Sequence, residues 1–364
     1  MPSLSAVRRR NQDYLLIETI KQVGISNYSM IARLTGLNAE TVRYRVTKHL
    51  SRLGLEVKLN VNYGELGFSS AFLSMTAEGT DGSWLDGLHY LVLSGKVVGM
   101  EKYYCVSAVP LRLKKKYFEM LDSLTQKEVL GRTEAMELDW IRYPTFRSEF
   151  YDFVNGRWKV DWSRVELVQN EMGVTTSYIE RDGKVDRFDV QILRSMQEEP
   201  TVSIAKIAKK MGMNARTVRY HHLQHVTKRR MVLNNTIRWT LRGQVMQAVF
   251  IFRSLDRQEA PSIRKIFNRL PFTWLEGGKD EGGYAAFLDI PMESFHDTIK
   301  HVETKLAFTH NKPEVILLDA SKTKYFGLET ELFDKKWGWS LPGYQPNLSA
   351  VVGEGPDDKD AAPP

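Results

Sequence analysis

The heptapeptide NAETVRY at residues 38–44 returns as NARTVRY at residues 214–220, with only its third letter changed. The same offset of 176 residues (214 − 38) places Asp13 on Asp189 without a gap. Similarity of a chain to itself at one fixed offset is the signature of a structural repeat. The sequence therefore predicts an internal tandem duplication, with one heptapeptide in each copy.

Around each heptapeptide the pattern is that of a helix-turn-helix. The helix before the second heptapeptide has one apolar face at amphipathic spacing, formed by Ile204, Ile207, Ala208 and Met211. The tripeptides at 36–38 and 212–214 each supply a glycine for a left-handed turn and an asparagine that can cap the next helix. The segments LEVKLNVNY (55–63) and MVLNNTIRW (231–239) are predicted to form the wings.

Each copy continues with short apolar strands that alternate with two helices. In the first copy we expect a helix around residues 84–93 and a closing strand at residues 134–141. The corresponding segments of the second copy are residues 260–269 and 314–318. The order β-α-β-β-α-β is that of a ferredoxin-like domain. The predicted fold class is α+β, with two winged helix-turn-helix domains, each followed by a ferredoxin-like βαββαβ domain.

These patterns divide the chain into six segments. They are residues 1–62 (winged helix-turn-helix 1), 63–146 (ferredoxin-like effector and dimerisation domain 1), 147–184 (Trp-containing extension and linker), 185–239 (winged helix-turn-helix 2), 240–326 (ferredoxin-like domain 2) and 327–364 (Trp-containing extension and acidic tail). The indoles of the two extensions are expected to cover apolar edges of the sheets. The tail GEGPDDKDAAPP (353–364) has the composition of a disordered segment.

The composition favours a soluble protein that binds a polyanion. The 364 residues are 42% hydrophobic and 26% charged, and no run approaches 18 apolar residues, so we expect no membrane segment. The one cysteine, Cys105, fits a reducing cytoplasm and a small core position. The net charge is +7, with about +6 in residues 8–62, about +8 in residues 187–238 and about −7 elsewhere. Positive charge is thus concentrated around the two heptapeptides.

The stretch VDRFDVQILRSMQEEPTVSIAKIAKKMGMNARTVRYHH (residues 185–222) resembles the opening helices and recognition helix of the leucine-responsive (Lrp/AsnC) transcription regulators. The resemblance implies a cytoplasmic, double-stranded DNA-binding regulator of prokaryotic, archaeal type. Members of that family usually carry one such unit per chain and dimerise through their sheets. This chain therefore resembles two fused units, a single-chain pseudo-dimer, and two such chains are expected to form a homodimer through their ferredoxin-like domains.

The resemblance also implies a small-molecule effector, which the family binds near a Gly-x-x-Asp-type turn between the second and third strands. The first copy reads GMEKYYC (99–105) at this place and lacks the aspartate. The second copy reads EGGKDEGGY (276–284) and keeps the aspartate in a glycine-rich turn. The candidate effector-binding residues are Gly99, Glu101, Gly278 and Asp280.

The third helix of a helix-turn-helix lies in the major groove of DNA, with its N-terminal residues nearest the base edges. Val42, Val46 and Val218 should face the core, which turns the polar side of each helix outwards. The candidate DNA-binding residues are Asn38, Glu40, Thr41, Arg43, Tyr44, Arg45 and Lys48 in the first copy, and Asn214, Arg216, Thr217, Arg219, Tyr220, His222, Lys228, Arg229 and Arg230 in the second. Arg43 and Arg219 can bind guanine, bind phosphate or form a structural salt bridge, and the sequence leaves these roles open.

The single changed letter, Glu40 against Arg216, predicts two unlike half-sites. A carboxylate can accept a hydrogen bond from cytosine N4 but repels phosphate, whereas arginine favours guanine. Two recognition helices in one chain would read successive major grooves about one helical turn apart. A DNA-organising protein with little sequence preference is the alternative binding function.

Catalytic alternatives rest on few residues. His221 and His225 have the i, i+4 spacing of a metal-binding pair, but no third ligand is evident nearby in the sequence. The architecture also resembles that of siroheme decarboxylases, which act on a tetrapyrrole with a His-Asn-Tyr-like stretch in the effector-type domain. Here Thr309-His310-Asn311 lies just before the last predicted strand, which is a different place. We therefore expect a protein without catalytic residues, metal or cofactor.

Overall fold

A computed structural model describes residues 4–25, 27–76, 82–167, 175–177, 185–239 and 244–344. The fold is mixed α and β, as expected. The predicted acidic tail at 353–364 lies outside the described residues. No helix in the described part of the chain is long and apolar enough to span a bilayer.

The N-terminal region forms the three predicted helices, a short fourth helix and a strand. Its elements are α1 (Leu4–Val23), α2 (Tyr28–Thr35), α3 (Ala39–Tyr44), α4 (Leu50–Arg52) and β1 (Leu55–Val61). A π-helical turn over Arg45–His49 joins α3 to α4. Gly36 ends α2 in the left-handed conformation, with φ at 68°. The side chain of Asn38 accepts a hydrogen bond from the Thr41 backbone N–H at 2.7 Å, so both local predictions for this turn are confirmed.

The first sheet follows directly. Its elements are β2 (Phe68–Thr76), β3 (Leu91–Lys96), β4 (Lys102–Pro110), α5 (Lys114–Gln126) and β5 (Thr133–Leu138), and the strands are antiparallel in the order β3-β4-β2-β5. The prediction of a helix around residues 84–93 is wrong, because only a 3₁₀ turn forms in this segment, at Ser83–Gly87. Gly82 and Tyr90 on either side have positive φ angles of 86° and 62°, and a right-handed helix cannot pass through such residues.

A connecting segment with short elements leads to the second half of the chain. It contains β6 (Trp140–Arg142), β7 (Tyr151–Asp152), β8 (Arg157–Trp158), α6 (Trp162–Val165) and β9 (Thr175–Ser177). The antiparallel pair β7–β8 presents Trp158, which is buried and packs edge-on against Phe272 at 5.0 Å between ring centroids. Trp158 thus covers an apolar surface, as the sequence predicts for the indoles of this extension.

The second half repeats the helical region and then forms a second sheet. Its elements are α7 (Arg187–Glu198), α8 (Ile204–Met211), α9 (Ala215–His221), β10 (Val232–Trp239), β11 (Val245–Phe252), α10 (Glu259–Arg269), β12 (Thr273–Gly278), β13 (Tyr284–Pro291), α11 (Phe295–Lys305) and β14 (Glu314–Leu318). The last short strands are β15 (Lys324–Tyr325), β16 (Phe333–Asp334) and β17 (Gly338–Trp339). The second sheet has the order β14-β11-β13-β12, extended by β6 and β9.

Each sheet receives an edge strand from the other half of the chain. β6 pairs with β12 of the second sheet, and β15 pairs with β3 of the first. The closing strand predicted at residues 134–141 is therefore divided between two sheets. The division falls at Asp139, whose backbone N–H donates to the Gly278 carbonyl at 2.9 Å, so the chain changes its pairing partner there.

The two predicted wings are instead one ribbon. β1 and β10 pair with each other in antiparallel register from Leu55–Trp239 to Asn60–Asn234. Inside the ribbon, the Asn60 side-chain amide donates to the Asn234 side-chain oxygen at 2.7 Å. Val61 and Ile237 are buried. A buried face fixes the register in which two strands pair, so these strands are more stable paired with each other than as separate solvated wings. The prediction of a separate wing for each unit was wrong.

The apolar cores connect the halves crosswise. The two sheets face each other, with Phe72 stacked on Tyr104 and edge-on to Phe287. The helices of the first helix-turn-helix share a core with the second sheet and its helices, and those of the second share a core with the first sheet. Both helix-turn-helix regions are therefore fixed to the sheets and to the ribbon that joins them.

Candidate nucleic-acid interface

The first recognition helix, α3 with the turn that follows it, presents a polar face. Val42 and Val46 are buried in the core, as predicted. The candidate residues Asn38, Glu40, Arg43, Tyr44 and Lys48 are exposed, and Thr41 is half-buried. Tyr44 is 52% exposed, so it lies outside the core.

The second recognition helix, α9, has the same arrangement around buried Val218. The candidate residues Asn214, Arg216, Thr217, Arg219 and Tyr220 are exposed. The Asn214 side chain accepts from the Arg216 backbone N–H at 2.8 Å, so it caps the helix. Within the described part of the chain, neither Arg216 nor Arg219 forms an ion pair, and the same is true of Arg43 in α3. Their charges are thus available to an anionic partner.

Arg45 corrects the predicted set. Its guanidinium donates to the buried carboxylate of Asp13 and, at 2.8 Å, to the side-chain oxygen of Gln12. His49 approaches the other Asp13 oxygen at 3.0 Å. The π-helical turn changes the angular spacing of side chains here, so Arg45 binds α1 and holds the helix-turn-helix together.

The cations after α9 divide in a similar way. Lys228 and Arg230 are exposed, and Arg229 is half-buried. Arg230 has a positive φ of 56° and turns the chain from the helix into β10. His222 is half-buried, and burial lowers the pKa of its imidazole. This burial disfavours a positive charge on His222, so its contact with DNA would be that of a neutral imidazole.

The four candidate effector residues lie at the tips of two different hairpins. Gly99 and Glu101 are exposed between β3 and β4, where Glu101 pairs with Lys96 at 2.5 Å. Gly278 is buried at the end of β12, and Asp280 is exposed beyond it. None of the four lines either of two described cavities, one of about 290 Å³ and one of about 580 Å³. The hairpin of Asp280 does border the larger cavity through residues 281–283.

The smaller cavity lies beside the ribbon and is lined by Asn60 and Thr236. On its other side the guanidinium of Arg238 lies between two rings, 3.7 Å from the Trp274 centroid and 4.7 Å from that of Tyr325. Its volume is near the lower limit of known small-molecule sites. Sequence reasoning missed this cavity because its walls come from distant parts of the chain.

Comparison with known proteins supports the helix-turn-helix assignment for one region. A sequence model described as winged helix-turn-helix DNA-binding matches residues 185–222, which hold α7, α8 and α9. This segment is the one whose exposed polar helix is described above. No curated protein matches the chain in sequence.

Among solved structures, that of the siroheme decarboxylase NirDL is similar over most of the chain. The TM-score is 0.53 at 10% sequence identity, with 88% of this chain and 96% of that chain covered. NirDL in complex with an iron-uroporphyrin III analogue gives 0.52 at 10% identity, with coverage of 85% and 91%. At this identity the similarity concerns the fold, which the two chains share nearly end to end.

Regulators are similar over a shorter part. The leucine response regulatory protein of Mycobacterium tuberculosis gives a TM-score of 0.27 at 21% identity, and 35% of this chain covers 90% of that one. AsnC of E. coli gives 0.26 at 15% identity, with the same coverage.

The histidines do not gather at the cavities. His310 of the Thr-His-Asn stretch is exposed ahead of β14, whereas Thr309 is buried and donates to the Leu306 carbonyl at 2.8 Å. Within the described residues, no histidine lines either the cavity beside the ribbon or the larger cavity between the two sheets.

One cluster was overlooked in the sequence. Asp186 and Asp189, at the start of α7, lie against His221 and His225, and potential ligand atoms of all four are within 4.8 Å of one another. The expectation that the two histidines have no further ligand nearby was wrong. The feature of the sequence that could have indicated this cluster is Asp189, because it corresponds to Asp13 at the repeat offset of 176 residues.

Proposed function

We propose that the chain is a sequence-specific double-stranded DNA-binding transcription regulator, in which one polypeptide carries two recognition helices as a pseudo-dimer. The observation that carries the proposal is the exposed face of α9, with Arg216, Arg219 and Tyr220, inside the segment that matches a winged helix-turn-helix DNA-binding family. Arg216 lies in the first turn of α9 and Arg219 about one turn later, and exposed arginines along such a helix can contact base edges and phosphates.

The register of the ribbon supports the pseudo-dimer. Leu59 of β1 pairs with Asn235 of β10, and these residues are separated by 235 − 59 = 176 positions, the offset of the heptapeptides. In a two-fold symmetric pair of strands, the residue on the axis faces its own counterpart. The centre of the ribbon thus lies where the two-fold axis of a homodimer of single units would pass. In this proposal the six segments predicted from the sequence form two units of a tandem duplication.

The symmetry of the protein sets the symmetry of its site on DNA. Glu40 and Arg216 occupy corresponding positions and are both exposed, so the two half-sites differ at the base pair that they read. The half bound by α9 contributes more to affinity, since arginine attracts the DNA backbone whereas glutamate is repelled. Lys48, Lys228 and Arg230 would anchor the chain through phosphates.

Further parts of the proposal follow from the same architecture. The regulator would be of archaeal Lrp/AsnC type and would act in the cytoplasm. Because the two sheets already face each other within one chain, a homodimer would need other surfaces of the same domains. A small-molecule effector would have space in the cavity beside Asn60 and Arg238.

The experiment is selection from a random duplex pool at near-physiological salt, followed by salt titration on the enriched sequences. The proposal predicts a motif of two unlike halves with centres about ten base pairs apart. Tight binding without a motif and with a steep salt dependence would support the DNA-organising alternative. Absence of binding would contradict the proposal, and addition of siroheme would then test the enzyme alternative by its absorbance and by loss of carboxyl groups.

A further inference from the structure

Four side chains meet where α7 begins and α9 ends. Asp186 caps α7, Asp189 lies in its first turn, His221 ends α9, and His225 lies in the π-helical turn that follows. Asp189 is fully buried and the other three are partly exposed. Two imidazole nitrogens and two carboxylate oxygens are therefore collected at one point with access from solvent.

The distances suit a metal ion with four ligands. The Nδ1 atom of His221 is 3.1 Å from Asp189 Oδ1 and 3.3 Å from Asp186 Oδ2. The Nδ1 atom of His225 is 3.0 Å and 3.6 Å from the same two oxygens. Zinc bonds of about 2.0–2.1 Å in a tetrahedron place neighbouring ligand atoms about 3.3 Å apart. The four observed separations bracket that edge length.

The carboxylates are oriented towards this point by hydrogen bonds that use their other oxygens. Asp186 Oδ1 accepts from the Asp189 backbone N–H at 2.9 Å, and Asp189 Oδ2 accepts from the Asp186 backbone N–H at 3.3 Å. This reciprocal capping box directs Asp186 Oδ2 and Asp189 Oδ1 at the histidines, and Asp189 Oδ2 also lies 3.1 Å from His225 Nδ1. Partners that fix the orientation of ligands are a regular feature of metal sites.

The first copy shows how a buried aspartate is stabilised without a metal. At the offset of 176, the residues that correspond to Asp186, Asp189, His221 and His225 are Arg10, Asp13, Arg45 and His49. There the Arg45 guanidinium binds Asp13 and supplies a permanent positive charge. The second copy has a histidine in place of that arginine and a second carboxylate. It thus has two carboxylates and no guanidinium at this point, and a divalent cation would supply the missing positive charge.

We propose that Asp186, Asp189, His221 and His225 bind one divalent transition-metal ion, with Zn²⁺ as the ion that this tetrahedral set of nitrogen and oxygen ligands favours. The ion would link α7 to the end of the recognition helix, directly after Arg219 and Tyr220. It would take the place that the Arg45 guanidinium holds in the first copy. The site is independent of the proposed DNA binding, because its test uses the metal alone.

The test is titration of the full chain, without a histidine tag and after removal of metal with a chelator, against Zn²⁺ in competition with a colorimetric chelator. We expect one equivalent to bind. His225→Gln should weaken binding by more than the roughly 10- to 100-fold that the loss of a residue orienting a ligand costs. The matched control, His49→Gln in the first copy, should retain the wild-type stoichiometry and affinity.

A second variant separates metal binding from folding. His221→Arg reproduces the first copy, in which Arg45 pairs with the buried Asp13 at the corresponding positions. This variant should therefore fold, and it should lose the Zn²⁺ site because one ligand is replaced by a cation. The melting temperature of the wild type should rise with Zn²⁺, because a ligand of the folded state stabilises it, whereas that of His221→Arg should not. Failure of the wild type to bind Zn²⁺ would overturn the proposal, and so would wild-type affinity for Zn²⁺ in both His221→Arg and His225→Gln.

Discussion

Replacement of Arg219 by alanine is the sharpest test of the second recognition helix. Arg219 is exposed and forms no ion pair within the described residues, so its truncation should change the free energy of unfolding by less than about 0.5 kcal/mol. A bidentate contact from arginine to guanine contributes about 1–3 kcal/mol of discrimination. Arg219→Ala should therefore weaken binding to the selected site by about 5- to 150-fold.

The assay is fluorescence anisotropy with the selected duplex and with a duplex in which the half read by α9 is scrambled. If Arg219 reads a base, the loss should appear on the selected duplex alone and leave the salt dependence unchanged. If it binds phosphate, both duplexes should lose affinity equally, and the slope of log K against log salt should fall by about 0.9. Arg257→Ala is the matched control, since Arg257 is 86% exposed and lies outside the helix-turn-helix. An affinity of Arg219→Ala equal to that of the control would refute the reasoning.

The remaining predictions concern buried groups. Arg45→Ala should lower the free energy of unfolding by about 3–5 kcal/mol, because it leaves the buried Asp13 carboxylate without its guanidinium partner. Urea denaturation followed by tryptophan fluorescence measures this change, and a loss below about 1 kcal/mol would contradict the structural role of Arg45. Arg238→Met should lower the free energy of unfolding by a similar amount at pH 7 and by less near about pH 5. Burial raises the pKa of Asp289, whereas Arg238 lowers it, so without Arg238 the folded variant retains a proton on Asp289 that the unfolded chain releases. The stability of the variant therefore falls as the pH rises. An equal loss at both pH values would count against this account. Burial raises the pKa of the Cys105 thiol, so a thiol reagent should modify it only after unfolding, and rapid reaction of the native protein would show that the core is open.

Local chemistry explains which parts of the fold the sequence predicted. The glycine and asparagine at positions 36 and 38 define a turn and a cap through atoms only a few residues apart. The outward face of α3 follows from buried Val42 at helical spacing. Such features depend on neighbouring residues and can be inferred without the rest of the chain.

The parts that could not be predicted depend on distant partners. The strand at residues 55–61 has the pattern of a wing, but its partner is β10, about 176 residues away. Arg45 has the spacing of an outward residue, and only the π-helical turn brings it to Asp13. The ligands that complete the histidine pair lie in another helix. In each case the deciding contact is tertiary, so periodicity along one element could not reveal it.

Selection of duplexes by Glu40→Arg in parallel with the wild type tests the central claim most directly. The two heptapeptides differ only at Glu40 and Arg216. The variant therefore has two heptapeptides of identical sequence, related by the proposed two-fold axis through the ribbon. The account predicts that the wild type selects two unlike halves and that the variant selects an inverted repeat of the half read by α9. The same motif from both proteins would contradict the claim that both helices read DNA.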